Sequence, residues 1–205
     1  ENKNRKLLSL YFCAGCPTLE GTGNVILTLQ ERGIDMIEVG IPFSDPLADG
    51  PVIQSAGTVA LKNGMTLRLL FQQLKEIKGK VRIPLVMMGY LNVIMHYGIE
   101  EFCKSCVECG VSGMIIPDLP FKDYIDDVKP VADRYDLRVI MMITPETSDD
   151  RIRFIDNNTD GFIYMVSSAS ITGAQKCFDE AKQDYFRHIN SMNLRNPRMV
   201  GFGIS

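Results

Sequence analysis

The apolar residues of this chain fall into short unbroken runs that alternate with longer segments of helical periodicity. Short continuous runs of β-forming residues are typical of strands that are covered on both faces. The pattern predicts strands over seven segments, which are Leu7–Phe12, Asp35–Val39, Ile83–Met88, Gly113–Ile116, Arg138–Ile143, Gly161–Val166 and Arg198–Gly203.

Segments with apolar residues at 3.6-residue spacing separate these strands. The clearest amphipathic stripe consists of Leu67, Leu70, Phe71, Leu74 and Ile77. A second helix is predicted over 22–29, with Gly33 where a C-terminal glycine belongs. Thr147 and Asp150 have the spacing of a capping box at the start of a helix. Pro130 is expected to kink a helical segment or to begin a turn of one.

Strands that alternate with helices predict an α/β fold with a parallel sheet, either an open doubly wound sheet or a (β/α)8 barrel. An open sheet usually has a Gly-rich phosphate turn after its first strand, whereas this chain has CAGCP at 13–17. Polar side chains instead lie in or after several strands, namely Glu38, Tyr90, Asp118, Glu146 and Ser167. Polar groups at many strand ends favour a TIM barrel. We therefore expect one TIM-barrel domain over 1–205, truncated after strand seven and incomplete at both ends.

The composition is that of an ordinary globular protein, with 205 residues, 45% hydrophobic residues and a formal net charge of −3. This balance leaves no basic surface for nucleic acid. No apolar run approaches the roughly 20 residues of a membrane span, and the start has no signal-peptide pattern. We therefore expect a cytoplasmic protein without nucleic-acid or membrane partners.

The cysteine spacing allows two interpretations. A C-x2-C pair at Cys13 and Cys16 and a C-x2-C-x2-C run at Cys103, Cys106 and Cys109 could indicate zinc or an iron–sulfur cluster. However, Phe102, Cys103 and Cys106 fall on one stripe of a predicted helix, as small core residues do. His96 and His188 lie in no metal-ligand pattern. The sequence therefore favours core cysteines and predicts no metal site.

The segment IEVGIPFSDPLADGP at 37–51 contains the most distinctive chemistry. Glu38 lies within an otherwise apolar strand, where burial would raise its pKa toward the range that suits proton transfer. Asp49 lies on the loop that follows, before Gly50 and Pro51. The alternatives are that Glu38 pairs with a buried cation and that Asp49 only shapes a turn.

Other motifs limit the reaction and the substrate. No lysine lies in or directly after a predicted strand, and no Ser-His-Asp set is apparent. The reaction type that these residues still allow is proton transfer by carboxylates, without a metal or an organic cofactor. Small residues around Thr172 and Gly173, and the glycines at 201 and 203, suit close backbone approach to a phosphorylated substrate.

Several motifs together resemble the tryptophan synthase α-subunit family. They are AGCP after strand one, IEVGIPFSDPLADGP around strand two, GYLN, PDLP, SSASITGA and GFGIS. The resemblance implies a lyase that cleaves indole-3-glycerol phosphate to indole and glyceraldehyde 3-phosphate in tryptophan biosynthesis. Cys16 stands where the family usually has aspartate.

The resemblance also implies roles for individual residues. Glu38 would be the catalytic acid/base, and Asp49 would accept the indole N–H. Thr172 would contact Asp49 when the loop closes, and Gly173 and Gly203 would donate backbone N–H groups to phosphate. The apolar pocket around the indole would consist of Tyr11, Ile53, Tyr90, Ile115, Tyr164 and Phe202.

The family's partner is a β subunit that binds pyridoxal phosphate in an α2β2 heterotetramer. The resemblance therefore implies no cofactor in this chain and a partner that faces the loops after strands two and six. Two alternatives share the same motifs. One is a free-standing indole-3-glycerol phosphate lyase, and the other is a catalytically silent subunit that activates a partner.

Overall fold

The computed structural model describes residues 6–167 and 180–201, which contain a seven-stranded sheet with its strands in chain order. All neighbouring strands are parallel. The strands are β1 Ser9–Cys13, β2 Met36–Gly40, β3 Leu85–Met88, β4 Gly113–Ile115, β5 Arg138–Ile143, β6 Ile163–Val166 and β7 Arg198–Gly201. Consecutive parallel strands joined by helices are the arrangement of a TIM barrel, as the sequence predicts.

Helices connect the strands and cover the outside of the sheet. They are α1 Thr22–Glu31, α2 Pro51–Lys62, α3 Leu67–Ile77, α4 Leu91–Tyr97, α5 Ile99–Glu108, α6 Phe121–Asp123, α7 Lys129–Arg134, α8 Asp149–Asn158 and α9 Glu180–Ser191. A π-helical turn, Tyr124–Val128, joins α6 to α7, and Pro130 lies in the first turn of α7 as predicted. Within residues 6–167 and 180–201, no helix has both the length and the apolar character that a membrane crossing requires.

Two predictions about helix ends have different outcomes. Gly33 follows α1 with φ +85° and donates its N–H to the Gln30 carbonyl at 3.1 Å, which confirms its role at the C-terminus. The capping box at Thr147 is wrong, because α8 begins at Asp149 with Ser148 as the N-cap. The Thr147 hydroxyl instead accepts a hydrogen bond from the Thr144 N–H at 2.9 Å. A local turn therefore uses the side chain that the sequence pattern assigns to the helix.

The strands separate two apolar layers because their side chains alternate between the two faces of the sheet. One layer lies between sheet and helices and contains Ile37 and Val39 of β2 together with the α3 stripe. The other lies inside the curved sheet and contains Met36, Val86, Met88, Ile115, Ile140 and Tyr164. Glu38 shares the strand face of Met36, so its carboxylate enters the second layer.

The predicted core role of the helical cysteines is confirmed. Cys103, Cys106 and Cys109 are all buried, and the Cys109 thiol donates a hydrogen bond to the Phe71 carbonyl at 3.2 Å. Burial raises the pKa of each thiol, which keeps these groups protonated at neutral pH. No three His, Cys, Asp or Glu side chains converge on a metal position in the part of the chain that the structure describes.

Candidate active site

Glu38 lies in the middle of β2 and projects into the interior of the sheet. It is only 5% exposed, and its strand neighbours are Tyr11 on β1 and Val86 on β3. The backbone of β2 is held in place on both sides by parallel pairing, and all five of its residues are buried. The carboxyl group is therefore fixed in an apolar environment two residues before the C-terminal end of β2, the end at which TIM barrels have their active sites.

Two hydroxyl groups contact the Glu38 carboxylate. The Ser9 hydroxyl donates a hydrogen bond to Oε1 at 2.6 Å, and the Tyr164 hydroxyl donates to Oε2 at a long 3.5 Å. Burial raises the pKa of Glu38 above its ordinary value of 4.5, and the two hydroxyls oppose this shift by stabilising the anion. A carboxyl group with a raised pKa can both hold and release a proton under mild conditions.

Asp49 lies on the segment that joins β2 to α2 and is half-buried. Burial raises the pKa of Asp49 above its ordinary value of 3.8, and a hydrogen bond from the Tyr90 hydroxyl opposes the shift. The same hydroxyl accepts the Ala48 N–H at 3.0 Å. Gly50 is the N-cap of α2 and Pro51 its first residue, so the predicted turn into a helix is present. Asp49 therefore has a specific hydrogen-bond partner in addition to its place in a turn.

The charges of both carboxylates act on Tyr11. The ring lies across from Glu38 on the neighbouring strand, and burial raises the pKa of its phenol. The charges of Asp49 and Glu38 raise that pKa further, so both carboxylates lie within electrostatic range of one hydroxyl. Gly40 makes room for this ring, because a Cβ at that position would overlap the Tyr11 hydroxyl. The structure thus brings Glu38 and Asp49 to one mouth of the sheet.

The predicted pocket residues lie in different environments. Tyr11, Ile115 and Tyr164 line the interior cluster, and Tyr90 is 4% exposed beneath the loop that carries Asp49. Ile53 is half-buried in the first turn of α2. Four further predicted site residues lie outside the described residues, namely Thr172, Gly173, Phe202 and Gly203.

Two of the other polar residues that follow the strands, Asp118 and Ser167, have structural roles. Asp118 accepts the Leu91 N–H at 2.8 Å and so caps the start of α4, directly after Tyr90. The Ser167 N–H donates to the Gly201 carbonyl at 3.3 Å and extends the pairing of β6 with β7. Glu146 is exposed.

Two residues of the site are absent from the sequence prediction. Ser9 was not distinguishable from any other small polar residue in a predicted strand, although its contact with Glu38, at 2.6 Å, is shorter than that of Tyr164. Gly40 carries no chemistry of its own and acts only through the space that it leaves for Tyr11. Residues two apart in a strand point to the same face, so the sequence could have placed Ser9 on the face of β1 that carries Tyr11.

Comparison with known proteins agrees with this geometry. The sequence profile of the family described as tryptophan synthase alpha chain matches residues 1–205. A protein of that name from Phocaeicola vulgatus is 66% identical over 203 residues, which cover 99% of this chain and 79% of the relative. Another from Bacteroides fragilis is 64% identical over 205 residues, covering 100% of this chain and 78% of the relative.

Solved structures with the same fold have similar descriptions. Tryptophan synthase subunit alpha from Legionella pneumophila superposes with a TM-score of 0.87 at 35% identity, covering 98% of this chain and 73% of that one. A chain of the tryptophan synthase complex from Pyrococcus furiosus superposes with a TM-score of 0.85 at 36% identity, covering 97% and 78%. The chain therefore belongs to the tryptophan synthase alpha chain family.

Proposed function

We propose that this protein is the α subunit of a tryptophan synthase and cleaves indole-3-glycerol phosphate to indole and glyceraldehyde 3-phosphate. Family membership supports the overall reaction. The observation that carries the residue assignment is the convergence of two carboxyl groups with raised pKa values, Glu38 and Asp49, on one mouth of a parallel sheet. This arrangement supplies proton transfer at two separate positions of one substrate.

Glu38 is the acid/base in this proposal. Retro-aldol cleavage requires a proton on C3 of the indole and removal of a proton from the glycerol hydroxyl that becomes the aldehyde. A buried carboxyl group with a raised pKa can do both in turn.

Asp49 stabilises the positive charge that develops on the ring. Protonation of C3 makes the indole cationic, and the ring N–H then becomes a stronger hydrogen-bond donor. A carboxylate that accepts this N–H interacts more strongly with the transition state than with the substrate. The Tyr90 hydroxyl holds Asp49 and favours its anionic form.

The remaining site residues are proposed from the family resemblance. Tyr11, Ile115 and Tyr164 provide an apolar and aromatic wall next to Glu38. The full proposed binding set is Tyr11, Ile53, Tyr90, Ile115, Tyr164, Thr172, Gly173, Phe202 and Gly203, of which the two glycines bind phosphate through their N–H groups.

A β subunit that carries pyridoxal phosphate is the proposed partner, and no cofactor is proposed for this chain. A neighbour from Pyrococcus furiosus is described as part of an a2b2 complex, which supports the same assembly here. Leu47 and Val52 are 84% and 82% exposed on either side of Asp49, so two large apolar side chains are in contact with solvent beside the site. Docking of a subunit on this loop would cover both. This favours a complex over a free-standing lyase.

The test compares three carboxylate-to-amide variants, Glu38→Gln, Asp49→Asn and the exposed control Glu146→Gln. Glu38→Gln should abolish most cleavage of indole-3-glycerol phosphate and leave the fold intact, because an amide avoids the cost of a buried charge. Asp49→Asn should lower turnover more than it weakens binding of a glycerol phosphate analogue. Glu146→Gln should match wild type. Near-wild-type turnover in folded Glu38→Gln would refute the acid/base assignment. Equal losses in turnover and binding in Asp49→Asn would show that Asp49 contributes to binding in general and not to the transition state in particular.

A further inference from the structure

Ser9 lies two residues before Tyr11 on the same face of β1. In the parallel register Tyr11 is opposite Glu38, and Ser9 is opposite Met36. Ser9 is therefore the diagonal neighbour of Glu38, a distance that a long side chain can span. The Glu38 side chain does so, because its Oε1 reaches the Ser9 hydroxyl.

The two oxygens of the Glu38 carboxyl group are held unequally. The 2.6 Å contact between Ser9 Oγ and Oε1 has the length of a hydrogen bond from a hydroxyl to a carboxylate. The 3.5 Å contact between the Tyr164 hydroxyl and Oε2 is at the limit of a hydrogen bond. Oε1 is thus occupied by a strong donor, whereas Oε2 is held only weakly.

We propose that Ser9 is a positioning residue for the cleavage reaction, which anchors Oε1 of Glu38 so that the proton is taken up and released at Oε2. This inference rests on the acid/base role proposed for Glu38. The Ser9 hydroxyl can donate to Oε1 in both protonation states, since that oxygen accepts a hydrogen bond in the carboxylate and as the carbonyl of the acid. The anchor therefore persists while the proton moves.

The anchor has a consequence for titration. A hydroxyl that donates to a carboxylate favours the anion, so its removal raises the pKa of the carboxyl group. Within residues 6–167 and 180–201, the phenols of Tyr11 and Tyr164 are the other titratable groups that face Glu38. Burial raises the pKa of Tyr11 above its ordinary value of 10, so this phenol is neutral near pH 7. The Tyr164 phenol does not replace Ser9, since it donates to the other oxygen of Glu38.

The experiment measures the titration of the Glu38 carboxyl carbon by 13C NMR, with the resonance assigned by its loss in Glu38→Gln. Ser9→Ala removes the donor, and Ser9→Thr keeps it. Ser105→Ala is the matched control, because Ser105 is a buried serine whose hydroxyl contacts Tyr97 instead. Steady-state cleavage of indole-3-glycerol phosphate is measured for every variant.

In Ser9→Ala we expect the pKa of Glu38 to rise by roughly one unit and kcat to fall roughly tenfold, with a much smaller change in KM. Ser9→Thr and Ser105→Ala should retain the wild-type titration and kcat. If Ser9→Ala does not fold, Ser9→Cys preserves the volume with a weaker donor and should give an intermediate pKa shift.

Failure of the role of Ser9 can be distinguished from failure of the proposed function. An unchanged Glu38 titration or an unchanged kcat in Ser9→Ala, with Glu38→Gln inactive, would overturn the role of Ser9 alone. Full turnover in Glu38→Gln would overturn the proposed function together with the catalytic part of this inference. Equal losses of kcat in Ser9→Ala and Ser9→Thr would show that the reaction depends on the shape of the side chain at this position and not on its hydroxyl. That result would also overturn the anchor.

Discussion

Replacement of Tyr90 by phenylalanine tests how the loop that carries Asp49 is held. The Tyr90 hydroxyl accepts the Ala48 N–H at 3.0 Å and donates to the Asp49 carboxylate. The ring itself is 4% exposed and contacts Phe43 at a centroid distance of 5.2 Å. Phenylalanine keeps that ring contact and removes only the hydroxyl, so the variant isolates the two hydrogen bonds.

The expected magnitude follows from those two bonds. A hydrogen bond to a charged group contributes about 1.5–3 kcal/mol, and a buried donor without its acceptor costs about 1–3 kcal/mol. Ala48 and Asp49 are only partly buried, so water can replace some of the lost contacts. We therefore expect about 2 kcal/mol of lost transition-state stabilisation, or roughly a 30-fold fall in kcat/KM. The free energy of unfolding should fall by about 1 kcal/mol or less, because the loop contributes little to the core.

The effect should also depend on pH. The Tyr90 hydroxyl favours the anion of Asp49, so its removal raises a pKa that burial has already raised. Asp49 is then protonated over a wider acidic range. The difference in rate between Tyr90→Phe and wild type should therefore grow as the pH falls and shrink as it rises.

The assay is the pH profile of kcat/KM for cleavage of indole-3-glycerol phosphate, together with denaturant unfolding. Tyr97→Phe is the control, since it removes a hydroxyl that contacts Ser105 between α4 and α5, away from Asp49. Wild-type rates at every pH in Tyr90→Phe would refute the reasoning. So would a rate loss that is the same in Tyr97→Phe.

Three further predictions concern stability and thiol reactivity. Leu74→Ala should lower the free energy of unfolding by about 2–5 kcal/mol, because Leu74 is 1% exposed, and denaturant unfolding measures this. Burial opposes ionisation of Asp156, but hydrogen bonds from Asn196 and Arg195 lower its pKa below 3.8. The ionised Asp156 therefore stabilises the folded protein at neutral pH, and this contribution is lost as the pH falls through the lowered pKa. Asp156→Asn should therefore destabilise the protein at pH 7 by about 1–3 kcal/mol and much less near pH 2 in urea unfolding. Mass-spectrometric mapping after brief alkylation should find Cys16 labelled and Cys106 unlabelled until the protein unfolds, and equal labelling of both would contradict the burial that separates them.

Local sequence patterns were sufficient for most of the secondary structure. The predicted strand over 138–143 agrees with β5 at both ends, and the apolar stripe of α3 is buried as predicted. Both patterns are strong because buried strands need continuous apolar runs and a helix on a sheet needs one apolar face. Glu38 and Asp49 were conspicuous for a related reason, since carboxylates are rare in and beside such runs.

Element ends were less predictable because they depend on partners that are distant in the sequence. The apolar run at Leu7 predicts an earlier start for the first strand, but β1 begins at Ser9, and Leu7 and Leu8 are 52% and 58% exposed. Pairing with β2 decides where β1 begins, and that pairing starts at Met36. The misplaced capping box at Thr147 has a similar origin, because the hydroxyl has a competing local partner.

The sequence by itself determined the alternation of strands and helices, the parallel sheet, and the two carboxylates that distinguish this chain. Only the tertiary structure decided that Ser9 holds Glu38, that the charges of Glu38 and Asp49 both act on the Tyr11 phenol, and that Gly40 leaves space for the Tyr11 ring. Periodicity reports which face of an element is buried, and it follows from local backbone geometry. The register between strands sets which side chains meet, and it depends on contacts among residues far apart in the chain.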